Sequence, residues 1–254
     1  MIKNINSKNY PKVNSLIMRK LNKGLSESNN FQEIFMVNFS TLFYSVAPFV
    51  STNDLKLIKD IDSKGIVERM KFGAKILSKY FPFKSLAPLK KHPSDTVRGW
   101  IAFVIGTKKQ LSLPHKLHEI QALANDSHFA VREWSWLALR ESIKEDIHLS
   151  IRLLLPWALS EFPNIRRFSI ESTRPRGVWS KHIPKLKNSP KIGLSLLNTV
   201  MEDSSPYVQK SCGNWLNDAA KTDPKWVIRF CQEWEKKSKH PSISKITKRG
   251  LRNV

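Results

Sequence analysis

Cysteine is nearly absent from this chain of 254 residues, which contains only Cys212 and Cys231. Two cysteines provide neither a disulfide framework nor a thiolate metal site, so we expect a reducing compartment. The seven histidines are scattered without the spacing of zinc ligands. The sequence therefore predicts a protein without a metal ion, and nothing in it indicates another cofactor.

Long apolar runs are missing as well. The longest, residues 34–50, is interrupted by polar residues and by Pro48, and is too polar to span a membrane. Residues 1–6 lack the apolar core of a signal peptide. Only nine glycines occur, and no run of alternating strands is found, which argues against a β-sheet. We expect a cytoplasmic, helical protein that has no membrane partner.

Acidic residues are scarce relative to basic ones. The 21 Asp and Glu residues against 43 Lys and Arg give a formal net charge of +22. An excess of this size is more than solubility requires and indicates a polyanionic partner, most simply nucleic acid. An acidic membrane is the weaker alternative, because no basic amphipathic helix with an exposed apolar face is evident. A scaffold that binds only proteins would not need this charge.

Four short segments repeat one pattern, in which a β-branched residue is followed by a polar or basic residue and an amphipathic helix. The β-branched residues are Val97, Val131, Ile165 and Val208, at intervals of 34, 34 and 43 residues. A second helical pattern follows each of them, over residues 113–124, 146–159, 192–201 and 225–236. HEAT-like helix pairs recur every ~40–47 residues. The sequence therefore predicts an all-α, HEAT-like helical-repeat solenoid with a basic concave groove.

The repeats also set the predicted domain organisation. Residues 1–30 are rich in Asn, Lys and Ser and are expected to form a mobile basic N-terminal arm that includes a short helix. Residues 31–93 are expected to form N-terminal helices that pack on the solenoid, the first of them over 31–45. Residues 94–254 hold the HEAT-like repeats and end in a basic helix or tail. We expect one continuous domain and a monomer.

Helical periodicity assigns two faces to each repeat helix, when residues are counted from its Val or Ile. Offsets 0, 3, 4 and 7 form the packed face, which holds Val131, Trp134, Ser135 and Ala138, then Ile165, Phe168, Ser169 and Ser172. Offsets 2, 6 and 9 are expected to be free in the groove. They hold Glu133, Leu137, Arg140, Arg167, Glu171, Arg174, Lys210, Asn214 and Asn217, with Asp218 one step further. Basic side chains outnumber acidic ones here, which suits duplex DNA.

Two longer motifs carry a family resemblance. Residues 165–179 read Ile-Arg-Arg-Phe-Ser-Ile-Glu-Ser-Thr-Arg-Pro-Arg-Gly-Val-Trp, and residues 207–218 read Tyr-Val-Gln-Lys-Ser-Cys-Gly-Asn-Trp-Leu-Asn-Asp. With these motifs the chain resembles the HEAT-like repeat DNA alkylation repair proteins, the superfamily of the AlkC and AlkD DNA glycosylases, and AlkC more than AlkD. The resemblance covers roughly residues 95–235. The chain departs from the AlkC pattern at His128, Ser172 and Gln209, where glutamate, glycine and arginine are usual.

The resemblance implies excision of cationic methylated bases, chiefly 3-methyladenine, from double-stranded DNA in base excision repair. It also implies that Glu171, Trp179 and Asp218 line the lesion pocket, and that no metal ion or cofactor takes part. A 3-methylated purine is positively charged, so it leaves as a neutral base without a strong general acid. What remains is to stabilise an oxocarbenium-like sugar and to orient water, which carboxylates do in glycoside hydrolysis.

The candidate site residues fall into three groups. The candidate catalytic carboxylates are Asp218, Glu171 and Glu133. The candidates for holding the cationic base or sugar through cation–π contacts are Trp179, Trp136 and Trp215. The candidate DNA-contacting residues are Arg140, Arg167, Arg174, Arg176, Lys210, Asn214 and Asn217. Within this last group, the two arginines that flank Pro175 are the strongest candidates for phosphate contacts.

The same side chains also have purely structural interpretations. Glu171 can pair with Arg174 or Arg167 on its own helix, and Asp218 can cap a helix end or bond the next turn. We expect the arginines that follow the Val or Ile of the first three repeats to form an Asp–Arg ladder between repeats; they are Arg98, Arg132 and Arg166. We expect Trp100 and Trp134 to lie in the core.

The predicted function is a monofunctional DNA glycosylase that acts on alkylated bases and is associated with the nucleoid. It is taken as monofunctional because no lysine stands out as a Schiff-base nucleophile. A non-catalytic binder of damaged or branched DNA on the same scaffold is the main alternative. A protein-interaction scaffold is a further alternative, and its binding would be far less sensitive to salt.

Overall fold

The computed structural model describes residues 14–254, and every regular element in this range is helical. In chain order the α-helices are α1 (Ser15–Asn22), α2 (Phe31–Met36), α3 (Phe39–Val46), α4 (Thr52–Asp60), α5 (Ile66–Tyr80), α6 (Asp95–Thr107), α7 (Leu113–Ala124), α8 (Phe129–Glu145), α9 (Ile147–Ala158), α10 (Pro163–Glu171), α11 (Pro184–Asn188), α12 (Leu194–Val200), α13 (Pro206–Ala220), α14 (Pro224–Lys237) and α15 (Pro241–Gly250). Short 3-10 segments cover Ile61–Ser63, Phe83–Lys91 and Pro190–Gly193. None of the helices in the described range combines the length and apolar character needed to cross a membrane.

Two compact units make up the chain, one up to Val104 and one over Ile105–Val254, so that their boundary falls inside α6. The repeat pattern predicts a change of architecture at residues 93–94 and one continuous domain. That organisation stays a prediction. The first 13 residues of the predicted arm lie outside the described residues, and the remainder belongs to the N-terminal unit.

The described part of the predicted arm packs within the N-terminal unit. Leu21 on α1 is buried, and so is Ser28. The backbone N–H and the hydroxyl of Ser28 both donate to the carboxylate of Asp95, at 3.1 and 2.8 Å. Glu27 forms an ion pair with Arg98. Residues 14–30 therefore differ from the mobile arm that their composition predicted. The reason is that Ser28 and Glu27 contact buried residues 67 and 71 positions later in the chain.

The repeat helices match the sequence pattern closely. The predicted segment 113–124 coincides with α7, and α9 and α14 each end within one residue of the segments 146–159 and 225–236. The segment 31–45 is divided instead into α2 and α3. The division arises at Asn38, whose side chain accepts a hydrogen bond from the backbone N–H of Thr41 and so begins a new helix.

A single arginine arrangement recurs at the start of the first three repeats. In each, Nη1 of the arginine after the Val or Ile donates to two backbone carbonyls, six and five residues earlier. Arg98 bonds His92 and Pro93, Arg132 bonds Asp126 and Ser127, and Arg166 bonds Ser160 and Glu161, at 2.7–3.3 Å. In the fourth repeat Gln209 occupies the position and keeps one bond, from Nε2 to the carbonyl of Asp203 at 2.8 Å. These bonds tie each repeat helix to the turn before it.

The expected packed face and the ladder are both found in the C-terminal unit. Val131, Trp134, Ile165 and Phe168 are all at most 2% exposed. Arg166 also forms a bidentate ion pair with Asp203 of the next repeat, with Nε–Oδ2 at 2.6 Å and Nη2–Oδ1 at 2.9 Å. The predicted Asp–Arg ladder is therefore confirmed at Arg166.

We predict that Arg166→Gln destabilises the protein more than Arg132→Gln. In both variants glutamine can keep at most one of the two carbonyl bonds, as Gln209 does, but only the first leaves a buried carboxylate, that of Asp203, without its partner. We expect costs in the free energy of unfolding of about 3 kcal/mol and about 1 kcal/mol, respectively. Urea unfolding followed by circular dichroism measures both, and equal costs would contradict this role of the Arg166–Asp203 pair.

Candidate functional site

The three candidate carboxylates lie on three successive repeat helices of the C-terminal unit. Glu133 is in the second turn of α8, Glu171 is the last residue of α10, and Asp218 is near the end of α13. Two arginines of the Arg-Arg-Phe and Thr-Arg-Pro segments, Arg167 and Arg174, lie between them. We call these five residues the ion-pair network.

Carboxylates and guanidinium groups alternate along the ion-pair network. Arg167 Nη2 lies 2.5 Å from Glu133 Oε1 and 3.7 Å from Glu171 Oε1. Arg174 Nη1 lies 3.1 Å from Glu171 Oε2, and its Nε and Nη2 lie 2.9 and 2.8 Å from Asp218 Oδ2. Each arginine thus joins two carboxylates on neighbouring helices, and the structure brings together all three predicted catalytic carboxylates.

Further polar groups fix the carboxylate orientations. Trp136 donates from Nε1 to Glu133 Oε2 at 2.7 Å. The Ser211 hydroxyl donates to Glu171 Oε1, also at 2.7 Å. Both oxygens of Glu171 are therefore engaged, whereas the contact of Asp218 Oδ1 within residues 14–254 is with the half-exposed ammonium of Lys221, 3.5 Å away. Among the three network carboxylates, Asp218 consequently has the oxygen that is held most weakly.

Burial and charge act in opposite directions on the network. Burial alone would raise the pKa of Glu171, but the charges of Arg167 and Arg174 and the Ser211 hydrogen bond outweigh it, so this pKa is lowered from its ordinary value. Burial would likewise lower the pKa of Arg174, but the charges of Glu171 and Asp218 raise it. Ionised partners therefore stabilise one another in a region with little water.

The segment that carries Trp179 is held at both ends by Arg140. This guanidinium donates to the carbonyls of Ser172 at 3.1 Å, Arg174 at 2.5 Å and Lys181 at 3.3 Å. Burial, followed by the nearby charge of Arg174, lowers its pKa to about 10, and it remains a cation at neutral pH. Arg140 therefore closes the loop between α10 and α11.

The loop needs glycine at position 177. A Cβ atom there would lie 1.9 Å from Ser180 Oγ and 2.8 Å from Arg140 Nε. Two residues later Trp179 adopts a φ of 60°, the single positive φ of a non-glycine residue within residues 14–254. Such a φ is an outlier for a bulky side chain. The Trp179 ring lies against that of Trp134, with centroids 6.1 Å apart and planes inclined at 29°.

The expectation that offsets 2, 6 and 9 are free in a groove is wrong for most of these residues. The side chains found buried are Leu137, Arg140, Arg167, Glu171, Asn217 and the adjacent Asp218, each at most 8% exposed. For Arg167, Glu171 and Asp218 the reason is that three neighbouring helices place opposite charges against each other, and the pairing offsets their loss of hydration. Arg140 and Asn217 are buried because they bond backbone carbonyls. Lys210 is exposed, and Asn214 is half-buried.

Three assignments therefore need correction. Arg140 is 1% exposed and bonds carbonyls, so it holds the loop and does not reach a phosphate. Trp215 is 1% exposed, and its Nε1 donates to the carbonyl of Thr173 at 3.0 Å, which makes it a core residue that does not hold a base. Asn217 is fully buried and donates to the carbonyl of Gly250 at 3.3 Å, so it joins α13 to α15 and does not contact DNA.

Trp136 needs the same correction as Trp215. It is 2% exposed and its Nε1 donates to Glu133, so it orients that carboxylate and does not hold a base. Trp179, in contrast, is partly exposed. Arg176 donates to the backbone carbonyl of Asp218 at 3.3 Å and to the Thr222 hydroxyl at 2.8 Å. The DNA contacts assigned to Arg167, Arg174, Arg176, Lys210 and Asn214 stay predictions.

Tyr207 is a site residue that the sequence analysis did not select. Its ring lies between two guanidinium groups, with Arg167 Cζ 4.3 Å and Arg132 Cζ 5.2 Å from the ring centroid. Its hydroxyl accepts a hydrogen bond from Arg132 Nε at 3.3 Å. The signal was its place directly before Val208 in a motif that already contained Trp215 and Asp218. Tyr207 adds an aromatic contact to the Arg167 end of the network.

A family model described as DNA alkylation repair enzyme matches residues 40–248. YhaZ of Bacillus subtilis (strain 168), a protein described as uncharacterized, is 34% identical over 146 residues, which is 58% of this chain and 40% of YhaZ. The chain thus spans less than half the length of that relative.

Solved structures share the fold. AlkC of Pseudomonas fluorescens, an alkylpurine DNA glycosylase bound to DNA containing an abasic site analog, superimposes with a TM-score of 0.69 at 22% identity, over 89% of this chain and 64% of that one. AlkD2 from Streptococcus mutans gives a TM-score of 0.62 at 21% identity, over 79% and 99% of the two chains. The Streptococcus mutans UA159 protein smu.31 gives 0.61 at 23% identity, over 80% and 98%.

These likenesses agree with the all-helical repeat fold. Since the family model matches most of its length, the chain belongs to the DNA alkylation repair enzyme family.

Proposed function

We propose that this protein is a DNA glycosylase that hydrolyses the N-glycosidic bond of cationic alkylated purines of the 3-methyladenine type and leaves an abasic site. The observation that carries the proposal is the ion-pair network, in which Arg167 and Arg174 fix three carboxylates from three repeat helices close together. Carboxylates fixed in this way suit a reaction whose sugar becomes cationic in the transition state.

Asp218 is proposed as the carboxylate that acts on the sugar or its attacking water. Its Oδ2 is held by two bonds from Arg174, which fixes the direction of the side chain. Its Oδ1 lies 3.5 Å from the ammonium of Lys221, a half-exposed side chain. An incoming nucleotide can displace this contact at low cost. Glu171 is proposed to act through Arg174, because both of its own oxygens are already bonded.

Trp179 is proposed to contact the cationic base or sugar. Its ring is partly exposed at the end of the loop that Arg140 closes, and its backbone is held at a φ of 60°. Strained backbone of this kind persists only where the surroundings impose it and is common at functional sites. An aromatic face attracts a cation by about 0.5–2 kcal/mol, whereas a neutral adenine lacks this attraction.

Duplex DNA is the proposed partner. The net charge of +22 suits a polyanion. The similar AlkC structure is bound to DNA containing an abasic site analog, which supports the same partner for this chain. We also propose that the protein acts as a monomer, without a metal ion or cofactor. The main alternative remains a binder of damaged or branched DNA that does not excise bases.

We predict that Asp218→Asn lowers the rate of 3-methyladenine release from methylated duplex DNA by about 10²–10³-fold, as loss of a transition-state charge partner does. Glu171→Gln should also lower it, since Arg174 loses one of its carboxylates. Glu141→Gln is the matched control, because Glu141 is an exposed carboxylate on α8, and it should leave the rate unchanged. Chromatographic separation of 3-methyladenine from 7-methylguanine measures release.

Two outcomes of that assay would change the proposal. Full activity of Asp218→Asn would remove Asp218 from the mechanism. No base release by the wild type, together with tight and salt-dependent duplex binding, would overturn the glycosylase and establish the non-catalytic binder.

A second prediction concerns the backbone of Trp179. Trp179→Ala and Trp179→Gly both remove the ring, so they should lower base release equally. A cation–π contact worth more than about 1.4 kcal/mol corresponds to a loss of about tenfold or more in the rate. Glycine accepts a positive φ without strain, so the glycine variant should be about 1 kcal/mol more stable than the alanine variant. Denaturant unfolding measures the difference, and equal stabilities would show that the positive φ is not imposed in solution.

A third prediction follows from the lowered pKa of Glu171. Its folded-state pKa lies below the ordinary value of 4.5, so its contribution to stability is present above that pH and is lost as the pH falls through the lowered pKa. The free energy of unfolding of the wild type should therefore exceed that of Glu171→Gln by a constant amount from pH 6 to 8. The difference should shrink below pH 4.5. A difference that grows on acidification would mean that Glu171 is protonated in the folded protein.

A further inference from the structure

The C-terminal helix α15 packs closely on α13, the helix that carries Asp218. Ile243 and Ile246 of α15 are buried, and so is Gly250 at its end. The Asn217 amide donates to the carbonyl of Gly250 at 3.3 Å, and its oxygen accepts from Asn253 at the same distance. The end of α15 is thus fixed beside the Asp218 end of the ion-pair network.

Gly213 of α13 permits the close approach. A Cβ atom at this position would lie 2.7 Å from Cβ of Arg249 and 3.0 Å from its Cγ and Cδ. The aliphatic stem of Arg249 therefore lies directly on the backbone of α13. Any larger residue at position 213 would displace the Arg249 side chain from this part of α13.

A single hydrogen bond, made by Nε, orients the Arg249 guanidinium within residues 14–254. Its Nε donates to the Asn214 side-chain oxygen at 3.0 Å. Within residues 14–254 its two Nη groups make no further hydrogen bond or ion pair, and the side chain is exposed. An anchored Nε leaves the two Nη groups as a fixed fork, the geometry with which arginine binds phosphate oxygens in a bidentate manner.

Arg252 lies next to Arg249 in the turn after α15. Its Nη1 donates to the carbonyl of Arg249 at 2.7 Å, and its side chain is exposed. Burial and the neighbouring charge of Arg249 lower the pKa of Arg252, and the charges of Asp218 and Arg174 also act on it, so that both ends of the Arg174–Asp218 pair lie within its electrostatic range. In the described residues neither Arg249 nor Arg252 has a carboxylate partner within 4.0 Å.

We propose that Arg249 and Arg252 form a clamp for a phosphate of the DNA backbone at the Asp218 end of the ion-pair network. The choice of DNA as the polyanion rests on the proposed function. Two like charges that are held side by side repel each other, and a phosphate between them removes this repulsion. The clamp positions the strand so that a sugar can meet Asp218, and it carries no sequence information.

The matched comparison is between two double variants that lose the same charge. Arg249→Gln with Arg252→Gln removes the clamp, whereas Lys236→Gln with Lys237→Gln removes two exposed charges from the end of α14. The probe is an undamaged duplex of 20 base pairs, and its dissociation constant is measured by fluorescence anisotropy at several KCl concentrations. Each phosphate contact contributes about 0.9 to the slope of log affinity against log salt.

We expect the clamp variant to lower this slope by about 0.9–1.8, for one or two lost phosphate contacts, and the lysine variant to change it by less than half as much. Equal slopes in the two double variants would overturn the clamp. Arg249→Lys is the second test, since it keeps both charges but removes the Arg249 fork. It should weaken duplex binding while leaving the slope within about 0.3 of that of the wild type. Unchanged affinity would mean that the fork geometry has no role.

The clamp and the proposed glycosylase can fail separately. If the wild type binds undamaged duplex but releases no methylated base, and the slopes behave as expected, the clamp stands without the enzyme. If base release is normal and the clamp variant keeps the wild-type slope, the enzyme stands without the clamp. If the wild type does not bind duplex DNA at all, both proposals fall.

Discussion

The interaction on which the rest of the C-terminal unit depends is the shared guanidinium of Arg174, which bonds Glu171 on one side and Asp218 on the other. Removing charged groups from water is costly, and the cost is offset only when each charge has an opposite partner and satisfied hydrogen bonds. Arg174 provides both across two helices. Arg167 repeats the arrangement toward Glu133, so the spacing of α8, α10 and α13 and the direction of their carboxylates are set together.

This arrangement has a consequence for catalysis. A carboxylate that is to stabilise a cationic sugar must be ionised and fixed before the reaction. Reorienting it during the reaction would cost free energy and so reduce the stabilisation of the transition state. Paired arginines keep Glu171 ionised although it is buried. Their presence also reduces the negative potential that the sugar would experience. Asp218 reconciles the two requirements, because Arg174 fixes its Oδ2 whereas the contact of its Oδ1 within residues 14–254 is the weaker one with Lys221, at 3.5 Å.

The sequence predicted much of this, and its failures have physical causes. Helical periodicity identified the packed positions, because burial of Val131 or Phe168 depends on local pattern alone. Periodicity also assigned Glu133, Glu171 and Asp218, at offsets 2, 6 and 10, to the same side of their helices. The expected exposure of Glu171 and Asp218 was wrong, because periodicity gives the direction of a side chain and not what stands opposite it. The bonds of Arg140 to a loop more than thirty residues away depend on tertiary packing, and no local pattern encodes them.

The left-handed backbone of Trp179 bears on how this position tolerates change. For the backbone alone, glycine is the favourable residue here, and every larger side chain lowers the stability of the fold. Random substitution followed by selection for stability alone would therefore drift toward glycine. A tryptophan is retained at this position only while its ring, which packs on Trp134 and is partly exposed, contributes more than the strained backbone costs.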